Sequence, residues 1–337
     1  MYSARRSDYD VTNTVRVSSA PEVRDAVRDL LLRAWPELAF APVARAFHDL
    51  ELAFTGRMPG YFGVDTVYHD QQHTLDVTLA MARLVTGYEL KHAGTDQALG
   101  AERAALGIFL ALFHDIGYLR ERGEEALNGA EFTRSHVSRS ARFLNFYLPT
   151  VGFGHLAPLA AELVHFTGYE KTFEQIGASV TDPRDIALGH LLGTADMIAQ
   201  MADRCYLEKC RDRLYPEFVL GGVALQVGPD GDRGVRYSSG LDLLRQTPQF
   251  MQDTITKRLD AGFGSAYRYI EALFDGANPY MEAIQRSLDF LQQVLRGENW
   301  RMLRRTPRVY TAHPDPLSSV RGLMSSYLKR AWSRPPR

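Results

Sequence analysis

The chain has 337 residues, of which 45% are hydrophobic and 23% charged, and its formal net charge at pH 7 is -1. This length allows a large buried core, and the nearly neutral balance argues against the whole chain binding nucleic acid by electrostatic attraction. No apolar run is long enough to cross a bilayer, so we expect no membrane span. The charged N-terminus has no apolar stretch behind it, so no secretory signal is expected and a cytoplasmic location follows.

Helical spacing of apolar residues dominates the chain. Residues 1–20 are polar and aperiodic, which predicts a flexible N-terminal arm. From Pro21 onward, apolar residues recur at intervals of three and four, which is typical of amphipathic helices. The best strand candidate is residues 219–227, followed by a turn at 228–232 and a short apolar stretch at 235–238. This pattern predicts a small hairpin, after which helical spacing resumes.

These patterns predict an all-α protein in which a helical bundle is followed by a helical extension. We place the flexible arm at 1–20, the bundle at 21–215, the extension with its small hairpin at 216–299 and a basic C-terminal segment at 300–337. The basic segment also carries an amphipathic stripe. Such a helix could lie on an anionic membrane or a partner, but packing against its own domain is the commoner arrangement.

Histidine and aspartate recur at intervals within the predicted bundle. His114 and Asp115 are adjacent and end an apolar helix just before Gly117, so an imidazole and a carboxylate would lie side by side. Asp196 is flanked by apolar residues and should therefore be paired or coordinated. Mixed nitrogen and oxygen ligands suit divalent transition metals, so we expect a metal site that supports hydrolysis. The wider series consists of His69, His73, His114, Asp115, His136, His165 and Asp196.

Over residues 60–215 this series resembles the HD-domain metal-dependent phosphohydrolase superfamily. Residues 68–77 are similar to the YHNxxHxxDV signature of class I cyclic nucleotide phosphodiesterases, and residues 195–206 resemble a helix of bacterial HD-GYP phosphodiesterases. Three positions depart from those patterns. Asp70 replaces an Asn, Tyr118 replaces the His of HDxxH, and Phe166 replaces the second His of the HD-GYP pair.

The resemblance implies an HD-domain bundle with two divalent metal ions, drawn from Mn, Fe, Zn, Co or Mg. It implies that His69 is the catalytic proton donor and that Asp115 bridges the two ions. Ligands of the first ion would be His73, His114, Asp115 and Asp196, and those of the second would include His136 and His165. From the motif we also expect Asp70 or Asp76 to orient the imidazoles. The candidate substrate contacts are Arg204, Tyr206 and Tyr118.

We therefore expect a phosphodiesterase that hydrolyses a nucleotide or cyclic nucleotide through water activated between the metals. The partner would be a small-molecule phosphoester, and a homodimer through the helices after residue 241 is an option. Three alternatives stay open at this point. They are a nucleotide phosphomonoesterase, a degenerate HD module that binds metal or nucleotide as a regulator, and an oxygenase with a di-iron centre.

Overall fold

The computed structural model describes residues 5–227 and 233–333 and confirms the expectation of an all-α protein. Its α-helices are α1 (Ala20–Ala34), α2 (Ala41–Phe54), α3 (Gln71–His92), α4 (Gly100–Phe113), α5 (His136–Tyr147), α6 (Ala157–Leu163), α7 (Phe173–Ser179), α8 (Pro183–Ala202), α9 (Tyr206–Lys209), α10 (Tyr215–Leu220), α11 (Gly240–Asp253), α12 (Pro279–Arg296) and α13 (Pro316–Ser333). Short 3-10 helices include Ile116–Tyr118, Val164–Thr167 and Ala266–Leu273, and π-helical turns cover Cys210–Leu214 and Thr254–Gly262. Two short strands, β1 (Leu225–Val227) and β2 (Arg233–Val235), complete the described structure.

Helix α3 is the axis of the bundle. Every residue from Gln72 to Tyr88 is buried, because α1, α4, α8 and the 3-10 helix Ala266–Leu273 all pack against α3. The last of these contacts depends on Gly87, where a Cβ atom would lie 2.0 Å from the backbone oxygen of Tyr269. Polar side chains on such a helix must find their partners inside the protein, since water does not reach them.

The main hydrophobic core of the described residues includes side chains from Val11 to Leu303. Helix α12 packs against α8, and α11 packs against the π-helical turn Cys210–Leu214. The boundary predicted at residue 215 therefore falls inside this core. The predicted helical extension at 216–299 is part of the same packed body as the bundle.

The predicted hairpin is confirmed, but it begins later than the sequence pattern indicated. Strands β1 and β2 pair antiparallel, with Leu225 opposite Val235. The start of the predicted strand is instead the end of helix α10, which has Pro216 in its first turn. Proline at that position favours a helix start because its fixed φ suits the first turn. The predicted turn at 228–232 lies outside the described residues.

The prediction of a flexible arm is wrong for residues 5–19, which fold back onto the bundle. The carboxylate of Asp10 is fully buried and lies 2.6 Å from the guanidinium of Arg83 on α3. It also accepts hydrogen bonds from the backbone N–H groups of Thr14 and Val15, and Arg83 in turn donates to the hydroxyl of Tyr280. One buried ion pair thus orders a polar segment that periodicity alone marks as unstructured. Residues 1–4 lie outside the described part of the chain.

The basic C-terminal segment packs against its own domain. The backbone N–H of Tyr310 donates to the Asp70 carboxylate at 3.0 Å, and that of Ala312 donates to the Val64 carbonyl at 3.1 Å. Helix α13 then packs on α10, with Val320 buried at the contact. Within the ranges described, no helix combines the length and apolar character that a membrane span requires.

Replacing Asp10 with Asn should destabilise the fold by about 3 kcal/mol, because it leaves the Arg83 guanidinium buried without a counter-charge. Burial acts to raise the pKa of Asp10, but Arg83 and hydrogen bonds from Thr12 and Val15 lower it to about 2. The ionised carboxylate therefore stabilises the fold above its unfolded pKa, and this contribution is lost as pH falls from about 4 to about 2. Urea denaturation of wild type and Asp10→Asn across that pH range measures the effect.

The matched control is Asp29→Asn, since Asp29 pairs with Arg28 on the surface and its side chain is 72% exposed. Surface pairs contribute little, so this variant should unfold like wild type. Equal stabilities for the two variants at neutral pH would contradict a structural role for the Asp10–Arg83 pair.

Candidate metal centre

Three buried side chains from separate helices converge near the start of α3. His73 lies in the first turn of α3, His114 directly follows α4, and Asp196 lies within α8. One ligand atom from each lies within 4.8 Å of the others. Nε2 of His73 is 3.6 Å from Oδ1 of Asp196, and Nε2 of His114 is 3.9 Å from the same oxygen. This group could hold a metal ion.

Asp115 lies between these histidines and a further one. Its Oδ2 atom is 3.3 Å from Nε2 of His73 and 3.2 Å from Nε2 of His114. Its Oδ1 atom is 3.5 Å from Nε2 of His136, the first residue of α5. The two carboxylate oxygens therefore face different imidazoles, which is the arrangement a bridging carboxylate needs.

The hydrogen bonds around the centre fit a cation. Nδ1 of His114 donates to the Ala111 carbonyl at 2.8 Å, and Nδ1 of His136 donates to the Thr133 carbonyl at 2.9 Å. In the neutral form of each ring, Nε2 is therefore unprotonated and can bind a metal ion. Metal-ligating histidines use their second nitrogen in this way. Nε2 of His114 and Oδ2 of Asp115 are buried and lack hydrogen-bond partners. Because such groups cost free energy when unsatisfied, a bound divalent ion would stabilise them.

The pKa values of His114 and Asp115 in the absence of a metal ion show how strongly the centre attracts positive charge. Burial acts to lower the pKa of His114, but the carboxylates of Asp115 and Asp196 raise it to about 9. Burial likewise acts to raise the pKa of Asp115, but neighbouring histidines, His114 foremost, hold it well below its usual range. A divalent ion would replace the imidazole proton as the balancing charge.

His69 is paired with a residue that sequence analysis missed. Glu217 in the first turn of α10 is fully buried, and its Oε2 atom lies 2.6 Å from Nδ1 of His69. Its other oxygen accepts the backbone N–H groups of Val67 at 2.5 Å and Tyr68 at 2.6 Å. Burial acts to lower the pKa of His69, but the Glu217 carboxylate raises it above its usual value. Glu217 therefore fixes the ring and favours its protonated form.

Tyr118 is located at the centre. Its ring is stacked on those of His69 and His136, with a centroid separation of 4.4 Å and an interplanar angle of 18° in each case. The side chain lines the cavity, and the residue is 3% exposed. Tyr118 therefore separates the two imidazoles, and its expected contact with substrate stays a prediction.

The two residues that were expected to orient the imidazoles, Asp70 and Asp76, form no hydrogen bond to those rings. Asp70 caps α3 instead, because its carboxylate accepts the backbone N–H of His73 at 3.2 Å. Asp76 lies one turn further along α3, where burial and the nearby Asp203 carboxylate raise its pKa to about 7. Asp70 thus positions His73 through the backbone, and Glu217 provides the side-chain contact to His69.

His165 is not joined to the centre by any polar contact in the described residues. It is buried in the 3-10 helix Val164–Thr167, and its Nδ1 atom has no hydrogen-bond partner. Burial and the Lys171 ammonium lower its pKa, so the ring is neutral at pH 7. A neutral imidazole can ligate a metal, and its assignment to a second ion stays a prediction.

Arg204 was expected to contact substrate, but it does not line the cavity above the centre. Helix α8 ends at Ala202, and Arg204 lies near Arg305 and Glu208.

A cavity of 660 Å³ opens above the centre. This volume is within the range of about 300–1,000 Å³ that is usual for small-molecule sites. His69, His73, Asp115 and Asp196 all line it, as does the predicted contact Tyr206, which packs beside the buried thiol of Cys210. Its lining also includes the exposed residues Arg134, Tyr169, Arg236 and Phe250 and the half-buried Glu170, and we call this set of residues its mouth.

Comparisons of the chain with protein-family models, curated proteins and solved structures found no match. The HD-domain resemblance of residues 60–215 therefore stays a prediction from the motifs. The buried His73, His114 and Asp196 group is a feature of the structure itself.

Replacing Glu217 with Gln should lower the pKa of His69, because it removes the carboxylate that stabilises the imidazolium while keeping a similar shape. Since the wild-type pKa is raised, His69 should lose its proton at a lower pH in the variant. The alkaline limb of the pH profile of any activity that needs the imidazolium should therefore shift to lower pH. An NMR titration of the His69 ring measures the change.

The control for this titration is Glu102→Gln, since Glu102 pairs with His155 at the exposed surface. It should leave His69 unchanged. An identical His69 pKa in wild type and Glu217→Gln would show that Glu217 does not hold the proton.

Proposed function

We propose that this chain is a metal-dependent phosphohydrolase of the HD-domain type that cleaves a phosphodiester of a nucleotide or cyclic nucleotide. The observation that carries the proposal is the position of Asp115 between imidazoles, with His69, which pairs with the buried Glu217, lining the same cavity. A cytoplasmic enzyme that acts on a small nucleotide is the form that fits the sequence.

Two groups of residues would hold the ions. His73, His114 and Asp196 would bind the first, Asp115 would bridge, and His136 with His165 would bind the second. When bound, divalent ions such as Mn, Fe, Zn, Co or Mg would supply activation of water and neutralisation of phosphoryl charge.

His69 would act as the general acid. Glu217 accepts the Nδ1–H of His69, so the transferable proton is on Nε2 of the ring that lines the cavity. Because Glu217 raises the pKa of His69, the ring is protonated near neutral pH and can give this proton to the leaving oxygen. The carboxylate then holds the neutral ring in place for reprotonation.

The His69–Glu217 pair also favours turnover over the alternative of a regulatory module that only binds nucleotide. Burying a carboxylate costs free energy unless it is paired and hydrogen-bonded. Glu217 accepts one hydrogen bond from the imidazole of His69 and two from the backbone N–H groups of Val67 and Tyr68. An imidazole that is fixed in this way while lining the cavity is suited to proton transfer, which favours turnover over binding alone. The volume and the aromatic lining of the cavity fit a diester with groups on both sides of phosphorus.

Replacing His69 with Asn should reduce cleavage of a nucleoside phosphodiester by about 10²–10⁴-fold, the usual contribution of a general acid. Cleavage of the p-nitrophenyl ester of thymidine 5'-phosphate should fall far less, because p-nitrophenolate leaves without a proton. Steady-state kcat/KM for thymidylyl-(3',5')-thymidine and for the p-nitrophenyl ester, each with Mn²⁺, gives the comparison.

Two further variants make this comparison decisive. His73→Ala should abolish cleavage of both esters, because it removes a proposed metal ligand, and His48→Ala on the exposed face of α2 should affect neither. Equal losses for both esters in His69→Asn would contradict the general-acid role. Undiminished turnover of both esters in His73→Ala would contradict the proposed function.

A further inference from the structure

The mouth of the cavity carries two arginines that pair with no carboxylate among the described residues. Arg134 lies two residues before α5 and Arg236 directly follows β2, and both are exposed while lining the cavity. Of the ion pairs found in the described ranges, none involves either residue. Glu170 lines the same cavity, but its carboxylate accepts the backbone N–H groups of Val137 and Ser138 at 3.0 and 3.1 Å. Both guanidinium groups are therefore available to an anion.

Both arginines lie beside one short segment, residues 222–224. The Arg134 guanidinium donates to the Gly222 carbonyl, and the backbone N–H of Arg236 donates to the Ala224 carbonyl at 2.9 Å. This segment follows α10, the helix whose first turn presents Glu217 to His69. Gly222 lies two residues beyond the end of α10 at Leu220, and Glu217 lies within that helix. The segment that contacts both arginines therefore adjoins the helix that holds His69.

Two aromatic rings are exposed at the same mouth. Tyr169 is 75% exposed and Phe250 is 41% exposed, and both line the cavity. The guanidinium of Arg258 lies 4.2 Å from the Tyr169 ring centroid and donates to the Phe166 and Gly168 carbonyls, so the ring rests on a fixed support. Large exposed rings at the entrance to a cavity are suited to stacking on a flat ligand.

We propose that this mouth is a second subsite, in which Arg134 and Arg236 bind a second phosphate group of the substrate while Tyr169 and Phe250 stack on its base. The inference rests on the proposed function in assigning the reacting phosphoryl group to the metal centre. Guanidinium groups bind phosphate through paired, charge-assisted hydrogen bonds, and two of them suit a doubly charged group. The preferred substrate class is therefore a nucleotide phosphoester that carries a second phosphate group.

Calorimetric binding of two ligands to the full chain with Mn²⁺ tests this assignment. Thymidine 3',5'-bisphosphate should bind at least about tenfold more tightly than thymidine 5'-monophosphate, since hydrogen bonds to a charged group contribute this much. Arg134→Gln and Arg236→Gln should each reduce the ratio of the two Kd values, and the double variant should bring it close to one. Arg286→Gln removes an exposed arginine from α12 and should keep the wild-type ratio.

Equal affinities of wild type for the two ligands, failure of both to bind, or a ratio that survives in the double variant would overturn the subsite. Turnover of the p-nitrophenyl ester of thymidine 5'-phosphate tests the proposed function independently of the subsite. Turnover without a bisphosphate preference would leave the function standing and remove the subsite. An arginine-dependent preference without turnover of any phosphoester would support the subsite and contradict the hydrolase.

Discussion

A helix that other helices cover on every side cannot use water to satisfy its polar side chains, and α3 is such a helix from Gln72 to Tyr88. Several of its polar groups therefore contact residues far along the chain. Arg83 forms an ion pair with Asp10 and a hydrogen bond to Tyr280, so the N-terminal segment and α12 both pack against α3 through this residue. His73 requires Asp115 and Asp196, which brings the end of α4 and the middle of α8 together.

The same constraint explains why the candidate site is distributed over most of the chain. His69 and His73 bracket the start of α3, and the cap that orders this start, Asp70, is itself held by Tyr310 of the C-terminal segment. The partner of His69 comes from α10, and α10 is covered by α13. The position of His69 therefore depends on parts of the chain that lie outside the bundle predicted at 21–215.

Sequence patterns predicted the parts of this site that are encoded locally. His114 and Asp115 stand out because an ionisable pair ends an apolar helix, and Asp196 stands out because its neighbours are apolar. Glu217 gives no such signal, since it lies 148 residues from His69 in a short helix with ordinary composition. Only the folded chain brings its carboxylate to the imidazole.

The errors of sequence reasoning have the same physical origin. Arg204 was expected from the motif to contact substrate, but α8 ends at Ala202 and Arg204 lies near Arg305 and Glu208. The N-terminal arm lacks periodicity because its order comes from isolated contacts, which include the Asp10–Arg83 ion pair and the burial of Val11 and Val17. Contacts made by single residues across long sequence separations leave no repeating pattern to detect.

If the cluster around Asp115 is a metal centre, protein purified without chelator should retain metal ions. Elemental mass spectrometry measures this metal content per chain directly. We expect about two Mn, Fe, Zn or Co ions per chain in wild type and in His48→Ala, and a large loss in His114→Ala, which should still fold. Wild-type protein that holds no metal even after supplementation with these ions would contradict the assignment of this cluster as a metal centre.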